Sequence, residues 1–293
     1  MPAEIIDGAA VADRVRADVA KSAAALLPKG IVPGLTVVLV GDDPASAVYV
    51  RAKEKACHEA GMRGETIRMP ASTTQAELLA VVDRLNADAA IHGILVQMPL
   101  PKQIDSQTVI RRIAPQKDVD GFHPINVGKV LIGDKDGFAP CTPWGVQALL
   151  EAYNVKTAGM DCVIVGRSNI VGKPMASLMV QSGAGADCTV TICHSKTRDL
   201  KAHIKRADLL IAAIGRAEFV TGDMLKPGAV VMDVGINRVD DATAKAGYRL
   251  KGDVHFESAK EVASLITPVP GGVGRMTIAM LLKNTVRAAE MTA

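Results

Sequence analysis

The sequence predicts an α/β protein built from two open parallel-sheet domains, the C-terminal one Rossmann-like, with a cleft between them. Three observations predict it. Continuous β-branched runs such as LTVVLV (35–40) and AVVMDV (229–234) alternate with stretches of helical periodicity, as buried parallel strands joined by crossover helices should. A glycine turn, VIVGRSNIVGKP (163–174), joins one such run to the next helical pattern. The chain, at 293 residues, exceeds one typical domain.

The elements follow in order. Residues 9–27 place Val11, Val15, Val19 and Leu26 at helical spacing, and the stretch from Pro28 to Pro33 ends that helix. LTVVLV is then a buried strand. The loop GDDPAS leads into a helix running to Gly61, with Ser46 as its expected N-cap. ETIRMP (65–70) is a second, shorter strand. Thr74 and Glu77 form a capping box ahead of the helix QAELLAVVDRLN. HGILVQMPLP (92–101) is a third strand that ends in a Pro-rich loop. A stretch rich in Pro, Gly and Asp (114–145) interrupts the alternation, and a helix runs from near Pro143 to about Tyr153.

DCVIVG (161–166) opens a second series, continued by CTVTICHS (188–195), DLLIAAIG (208–215) and AVVMDVGIN (229–237). After TPVPGGVG (267–274), an amphipathic helix carrying Met276, Ile278, Leu281 and Val286 closes the chain. The boundary is expected near residue 141. Residues 1–141 with 276–293 form the first domain, and 142–275 form the second.

Composition narrows the function. Hydrophobic residues make up 48% and aromatics only 3%, so aliphatic packing must build the cores. The formal charge is +3 with both signs mixed along the chain, which argues against nucleic acid as a partner and suits a small anionic ligand. The five cysteines, Cys57, Cys141, Cys162, Cys188 and Cys193, contain no C-x-x-C pair and read as reduced packing residues. The six histidines show no metal-ligand spacing, so no metal is expected. The first twenty residues lack a signal peptide's apolar core, and no run reaches the roughly 18 apolar residues of a membrane span. A cytoplasmic protein without a membrane partner is the expectation.

The glycine turn carries the first chemistry. Gly166 ends the strand, Ser168 stands where the middle glycine of the dinucleotide fingerprint usually sits, and Gly172 closes it. Small side chains let backbone N–H groups approach a pyrophosphate at the helix N-terminus. An ordinary tight turn is the bland alternative. The following strand ends in Cys193-His194-Ser195-Lys196-Thr197, without the acid that usually holds the ribose 2′-hydroxyl of NAD. Hydroxyls and a cation, joined by Arg167, suit the 2′-phosphate of NADP instead.

Ligands of open α/β sheets bind beyond the carboxyl ends of the strands. Tyr49 and Lys53 share one helix face there at i and i+4, Gln97 ends the third strand, and Asp118 and Asp120 lie in KDVDG. A buried lysine beside a hydroxyl and an amide would have a lowered pKa and move protons near neutrality. A carboxylate such as Asp120 would accept two hydrogen bonds from an amidine-like ring edge. The bland alternatives are a solvated Lys53 and a turn-forming Asp120 before Gly121.

Six segments occur in a fixed order: YVRAK (49–53), GILVQMPLP (93–101), KDVDGFHPINVG (117–128), PCTPWG (140–145), GRSNIVGKP (166–174) and TPVPGGVGRMT (267–277). Together they closely resemble the bifunctional methylenetetrahydrofolate dehydrogenase/methenyltetrahydrofolate cyclohydrolase family over nearly the whole chain. The resemblance implies NADP-dependent oxidation of 5,10-methylenetetrahydrofolate, then hydrolysis to 10-formyltetrahydrofolate, in the one-carbon metabolism that serves purine biosynthesis. It implies tetrahydrofolate derivatives as ligands and a homodimer joined through the cofactor domains.

By this resemblance Lys53 is the essential lysine of the hydrolytic step, tuned by Gln97. Tyr49 stacks on or orients the folate, and Asp120 anchors the pterin. Gly166, Arg167, Ser168, Ser195 and Ile236 match cofactor contacts, and Gly271 and Gly272 bring backbone close to the folate. The family pattern P-G-G-V-G-P-M-T has Arg275 here in place of its second proline, a cation that either reaches a folate glutamate tail or faces solvent. Another NADP dehydrogenase of similar build, such as a shikimate dehydrogenase-like enzyme, is the main rival; KDVDG and PGGVG argue against it. The sequence contains no P-loop, so a fused ATP-dependent synthetase is not expected.

Overall fold

The computed structural model describes residues 2–244 and 247–293, and of Pro44 and Ala45 the backbone alone. In chain order the elements begin β1 (Glu4–Ile5), α1 (Gly8–Leu26), β2 (Gly34–Val40), α2 (Pro44–Glu59), β3 (Arg63–Met69) and α3 (Gln75–Ala87). Then come β4 (Gly93–Val96), α4 (Ser106–Arg112), α5 (Pro124–Ile132), α6 (Cys141–Ala152), β5 (Asp161–Val165) and α7 (Gly172–Met179). The chain continues through β6 (Thr189–Cys193), α8 (Leu200–Arg206), β7 (Leu209–Ala212), β8 (Val230–Asp233), β9 (Asn237–Asp240) and β10 (Tyr248–Lys251). It closes with α9 (Phe256–Ala259), β11 (Leu265–Ile266) and α10 (Val273–Glu290).

These elements form two compact units. The first holds Asp13–Val130, Asp134–Cys141 and Ile278–Ala293; the second holds Met1–Ala12, Leu131–Gly133 and Thr142–Thr277.

The first unit is organised by β2, whose seven residues are all buried. It pairs in parallel with β3 on one side and β4 on the other, with Val38 opposite both Ile67 and Val96. A strand covered on both faces needs apolar residues throughout, which is why LTVVLV does not alternate. Leu78, Val82 and Leu85 of α3 close one face of the core with Val38, Val40, Ile94 and Val96. The capping box forms: Glu77 N–H donates to Thr74 Oγ1 at 3.3 Å, and Thr74 N–H donates to Glu77 Oε2 at 2.8 Å.

Several boundaries in this unit differ from expectation; β3, for one, runs Arg63–Met69 rather than over 65–70. The N-cap of α2 is Asp43, whose carboxylate accepts the Ser46 N–H at 2.7 Å, and the helix ends at Glu59. Asp43 wins because Pro44, which has no N–H to lose, fits the first helical turn directly after it. β4 stops at Val96, although the Gln97 N–H still donates to the Val38 carbonyl at 2.8 Å. The prolines at 99 and 101 have no N–H with which to continue the ladder.

The second unit has one six-stranded parallel sheet in the order β1-β11-β8-β7-β5-β6. β6 lies on one side of β5 and β7 on the other, so the strand order reverses at β5, the switch point where such sheets bind ligands. Residues 2–12 fall in this unit, where the sequence reading places them in the first domain. β1 pairs with β11 through Glu4↔Leu265 and Ile5↔Ile266, and Ala3 enters the core with Val163, Leu210, Val231 and Ile266. A two-residue strand is too short to carry a readable period. The antiparallel pair of β9 and β10 is likewise absent from the sequence reading.

All five cysteines are free and buried. No helix among the described residues is long and apolar enough to cross a membrane. Leu78 is fully buried between α3 and the first sheet. Leu78→Ala should therefore cost about 3 kcal/mol in a denaturant titration that follows the first unit.

Candidate functional site

The centre of the first unit's site is Lys53, on α2 directly after the central strand. Its Nζ donates to Gln97 Oε1 at 2.9 Å. Gln97 follows β4, so the bond joins two neighbouring elements at the carboxyl edge of this sheet. The Gln97 amide nitrogen donates to the Met98 carbonyl at 2.8 Å, which turns the amide oxygen toward the lysine. Burial lowers the Lys53 pKa, and the charges of Asp120 and Cys141 pull it partly back. The same burial raises Asp120, opposed by the Lys53 charge and by a hydrogen bond from Cys141. The physical content is a partly dehydrated amine and carboxyl that hold each other's charge. Tyr49 stands one helical turn before Lys53 and is exposed.

Asp118 and Asp120 differ sharply in surroundings. Asp118 is buried and accepts N–H bonds from Phe122 at 3.2 Å and His123 at 2.7 Å, and one from Asn126 Nδ2 at 2.8 Å. Burial pushes it up to about 7 despite those bonds. It shapes the turn, and Gly121 makes the turn possible. That glycine has φ +72°, and a Cβ there would lie 2.6 Å from the Phe138 carbonyl oxygen. Asp120 is left with its carboxylate toward Lys53 and Cys141.

Two residues of this cluster escape the sequence reading. Cys141, read as packing, sits with Sγ 3.4 Å from the Val119 carbonyl and beside the Asp120 carboxylate, and its thiol pKa is raised far above normal. Asn284 of α10 is fully buried, and its Nδ2 donates to the carbonyls of Val119 at 2.8 Å and Ala139 at 3.0 Å. It thereby ties together the segments that carry Asp120 and Cys141. A polar residue in the apolar stripe of the last helix is the signal that points to it.

The second unit gathers the remaining residues along one sheet edge. Gly166 follows β5, and its N–H donates to the Cys193 carbonyl at 2.9 Å, so the glycine turn and the turn carrying Ser195 are neighbours. Gly166 has φ +145°, and a Cβ would lie 2.1 Å from the Ala213 carbonyl oxygen. A Cβ on Gly172 would lie 2.2 Å from the Gly166 carbonyl oxygen. Ser168 Oγ accepts the Val171 N–H at 3.1 Å, closing the turn from within. Arg167, Ser168, Ser195 and Ile236 are exposed. No carboxylate terminates β6, so exposed Ser195, Lys196 and Arg167 suit a 2′-phosphate. Gly271 has φ +112°, and Gly272 donates its N–H to the Pro268 carbonyl at 2.9 Å. Arg275 is exposed on the first turn of α10.

A doubly wound parallel sheet with a glycine turn at its switch point, in one chain with a unit centred on a partly buried amine, defines a two-domain dinucleotide-dependent enzyme. Comparison makes the class specific. Residues 6–120 match the family model for the tetrahydrofolate dehydrogenase/cyclohydrolase catalytic domain, and residues 140–293 match that for its NAD(P)-binding domain. The bifunctional protein FolD of Moorella thermoacetica is 59% identical over 290 residues, covering 99% of this chain and 100% of that one. FolD of Chlorobium chlorochromatii is 58% identical over 288 residues, 98% of each. Among solved structures, the bifunctional FolD enzyme of Campylobacter jejuni superposes with a TM-score of 0.93 at 46% identity over 99% of both chains. The Trypanosoma brucei enzyme, complexed with NADP cofactor and an inhibitor, gives 0.94 at 39% identity over 100% of this chain and 99% of that one.

The chain belongs to the tetrahydrofolate dehydrogenase/cyclohydrolase family: it is a bifunctional enzyme of folate metabolism with an NAD(P)-binding domain. Gly166→Ala should weaken NADP+ binding by roughly ten-fold or more, because the new Cβ must displace the Ala213 backbone or open the turn. Titration calorimetry against the unsubstituted protein reads the change directly.

Proposed function

We propose that this chain oxidises 5,10-methylenetetrahydrofolate with NADP+ and hydrolyses the 5,10-methenyl product to 10-formyltetrahydrofolate, with Lys53 as the proton carrier of the second step. One observation carries the reading. In a chain of this family, Lys53 is held by Gln97 and Asp120 in surroundings that favour its neutral form.

The dinucleotide, when bound, would supply the acceptor for a hydride from the methylene carbon. That step asks the chain for positioning alone. Asp120 would anchor the pterin through paired hydrogen bonds, Tyr49 would lie against the ring system, and Gly271 and Gly272 would admit the folate close to backbone. Gly166, Arg167, Ser168, Ser195 and Ile236 would hold the dinucleotide.

Hydrolysis then needs proton movement. Water adds to the methenyl carbon as neutral Lys53 takes one of its protons. The lysine returns a proton to N5 of the folate as the bond from that nitrogen to carbon breaks, while the adduct hydroxyl gives its own proton to solvent and becomes the formyl carbonyl. Gln97 Oε1 keeps the amine aimed through this cycle, and Asp120 stabilises it when charged. The enzyme would work as a cytoplasmic homodimer, feeding purine biosynthesis. The open edge of β6, where Ile192 is exposed, supports contact through the cofactor domain.

Lys53→Met should reduce hydrolysis of 5,10-methenyltetrahydrofolate by roughly a hundred- to ten-thousand-fold, and NADP+ reduction far less. Following both reactions spectroscopically in the same preparation tests this. A variant that still hydrolyses at the parent rate removes the lysine from the mechanism.

A further inference from the structure

Behind the carboxyl edge of the six-stranded sheet lies a carboxylate pair that neither the glycine turn nor Lys53 explains. Asp233, the last residue of β8, is 3% exposed and Asp253 is wholly buried. Asp253 Oδ2 accepts the Gly215 N–H at 2.8 Å, and its Oδ1 accepts the Arg216 N–H at 3.0 Å and Asn237 Nδ2 at 2.8 Å. Asp233 Oδ1 accepts the N–H groups of Gly235 and Asp253, both at 2.9 Å, and its Oδ2 accepts that of Val254 at 2.9 Å. Asp233 is itself held at the backbone, where its N–H donates to Thr267 Oγ1 at 2.7 Å.

Glycines permit this close approach. A Cβ on Gly235 would lie 2.3 Å from Asp253 Oδ1, and one on Gly252 would lie 1.8 Å from Asp233 Oδ2. Burying two neighbouring carboxyls is costly, and burial pushes Asp233 up to about 7. What the arrangement achieves is local: it fixes backbone.

The backbone it fixes lies at the switch point. Residues 213–216 leave β7, and Ala213 is the residue that a Cβ on Gly166 would strike. Residues 234–237 leave β8 at the same edge. Exposed Ile236 sits between Gly235 and Asn237, each bonded to one member of the pair. A Cβ on Gly274 would touch Ile236 Cδ1 at 3.2 Å, which places this loop against the start of α10.

We propose that Asp233 and Asp253 are positioning residues for the nicotinamide half of the dinucleotide, holding residues 215–216 and 235–237 as the surface against which it rests, and so serving hydride transfer without serving hydrolysis. The inference rests on the reading that NADP+ lies along this edge. The pair acts through backbone and touches neither substrate nor Lys53.

The full-length protein tests it through Asp253→Asn, which replaces one acceptor oxygen by an NH2 group facing an N–H donor. KM for NADP+ should rise, and dehydrogenase kcat fall, by roughly ten-fold each. Hydrolysis of 5,10-methenyltetrahydrofolate, assayed without dinucleotide, should be unchanged. Parallel loss of both activities in a folded variant overturns the proposal, as does an unaltered KM for NADP+. If Asp253→Asn does not fold, Asn237→Ala decides instead. It removes one partner of Asp253 while keeping the carboxylate, and should raise KM for NADP+ by about three-fold with hydrolysis intact. No change there, or an equal fall in both activities, overturns the proposal. Failure of the unsubstituted protein to reduce NADP+ would instead remove the dinucleotide reading on which the proposal stands.

Discussion

An ammonium group taken out of water must find compensation or lose its proton, and the first unit is arranged around that constraint. Lys53 receives one amide oxygen at 2.9 Å and the nearby charge of Asp120, which offset part of the desolvation without cancelling it. The amine therefore gives up its proton more readily than a solvated lysine does. Fuller compensation would fix it as a permanent cation, and none would leave nothing to hold it in place. Asp120 and Cys141 set this balance, Gln97 holds the amine and Asn284 joins the segments that carry the two charges, and the four come from separate stretches of the chain.

Both units solve the placement problem in one way. A central strand, β2 or β5, has its two neighbours on opposite sides, and the chain reversal leaves space at the carboxyl edge. In the first unit that edge receives Lys53 from the following helix and Gln97 from the neighbouring strand. In the second it receives the glycine turn, while Asp233 and Asp253 accept hydrogen bonds from the loops that leave β7 and β8. At Gly121 and Gly166 a side chain would collide with backbone and φ is positive, so glycine is required by space as much as by dihedral angle, whereas at Gly235 space alone requires it.

Long periodic segments were readable because burial imposes a pattern on them. LTVVLV, the Thr74–Glu77 capping box and the glycine turn each carry their geometry in a few adjacent residues. β1 and β11 do not, because two residues hold no period and their pairing spans some 260 positions of sequence. The same limit hid Asn284 and Asp253, whose partners are distant in the chain. Lys53, Gln97 and Asp120 do meet in space, but spacing alone favoured a solvated lysine over a buried one. The order of six motifs chose between them. Asp118 and Asp120, two residues apart, show how little local sequence says about role: one is spent on the turn, the other faces the amine.

The state of the Lys53 amine is the quantity on which the mechanism turns. Nuclear magnetic resonance of protein labelled with 13C at the lysine ε-carbon, with the Lys53 signal assigned by its loss in the Lys53→Met variant, reads the titration directly. A midpoint well below the ordinary lysine value of 10.5, moving lower still in Asp120→Asn, is the predicted result. A midpoint at or above 10.5 that ignores Asp120 would mean a plain solvated cation, and would contradict the account.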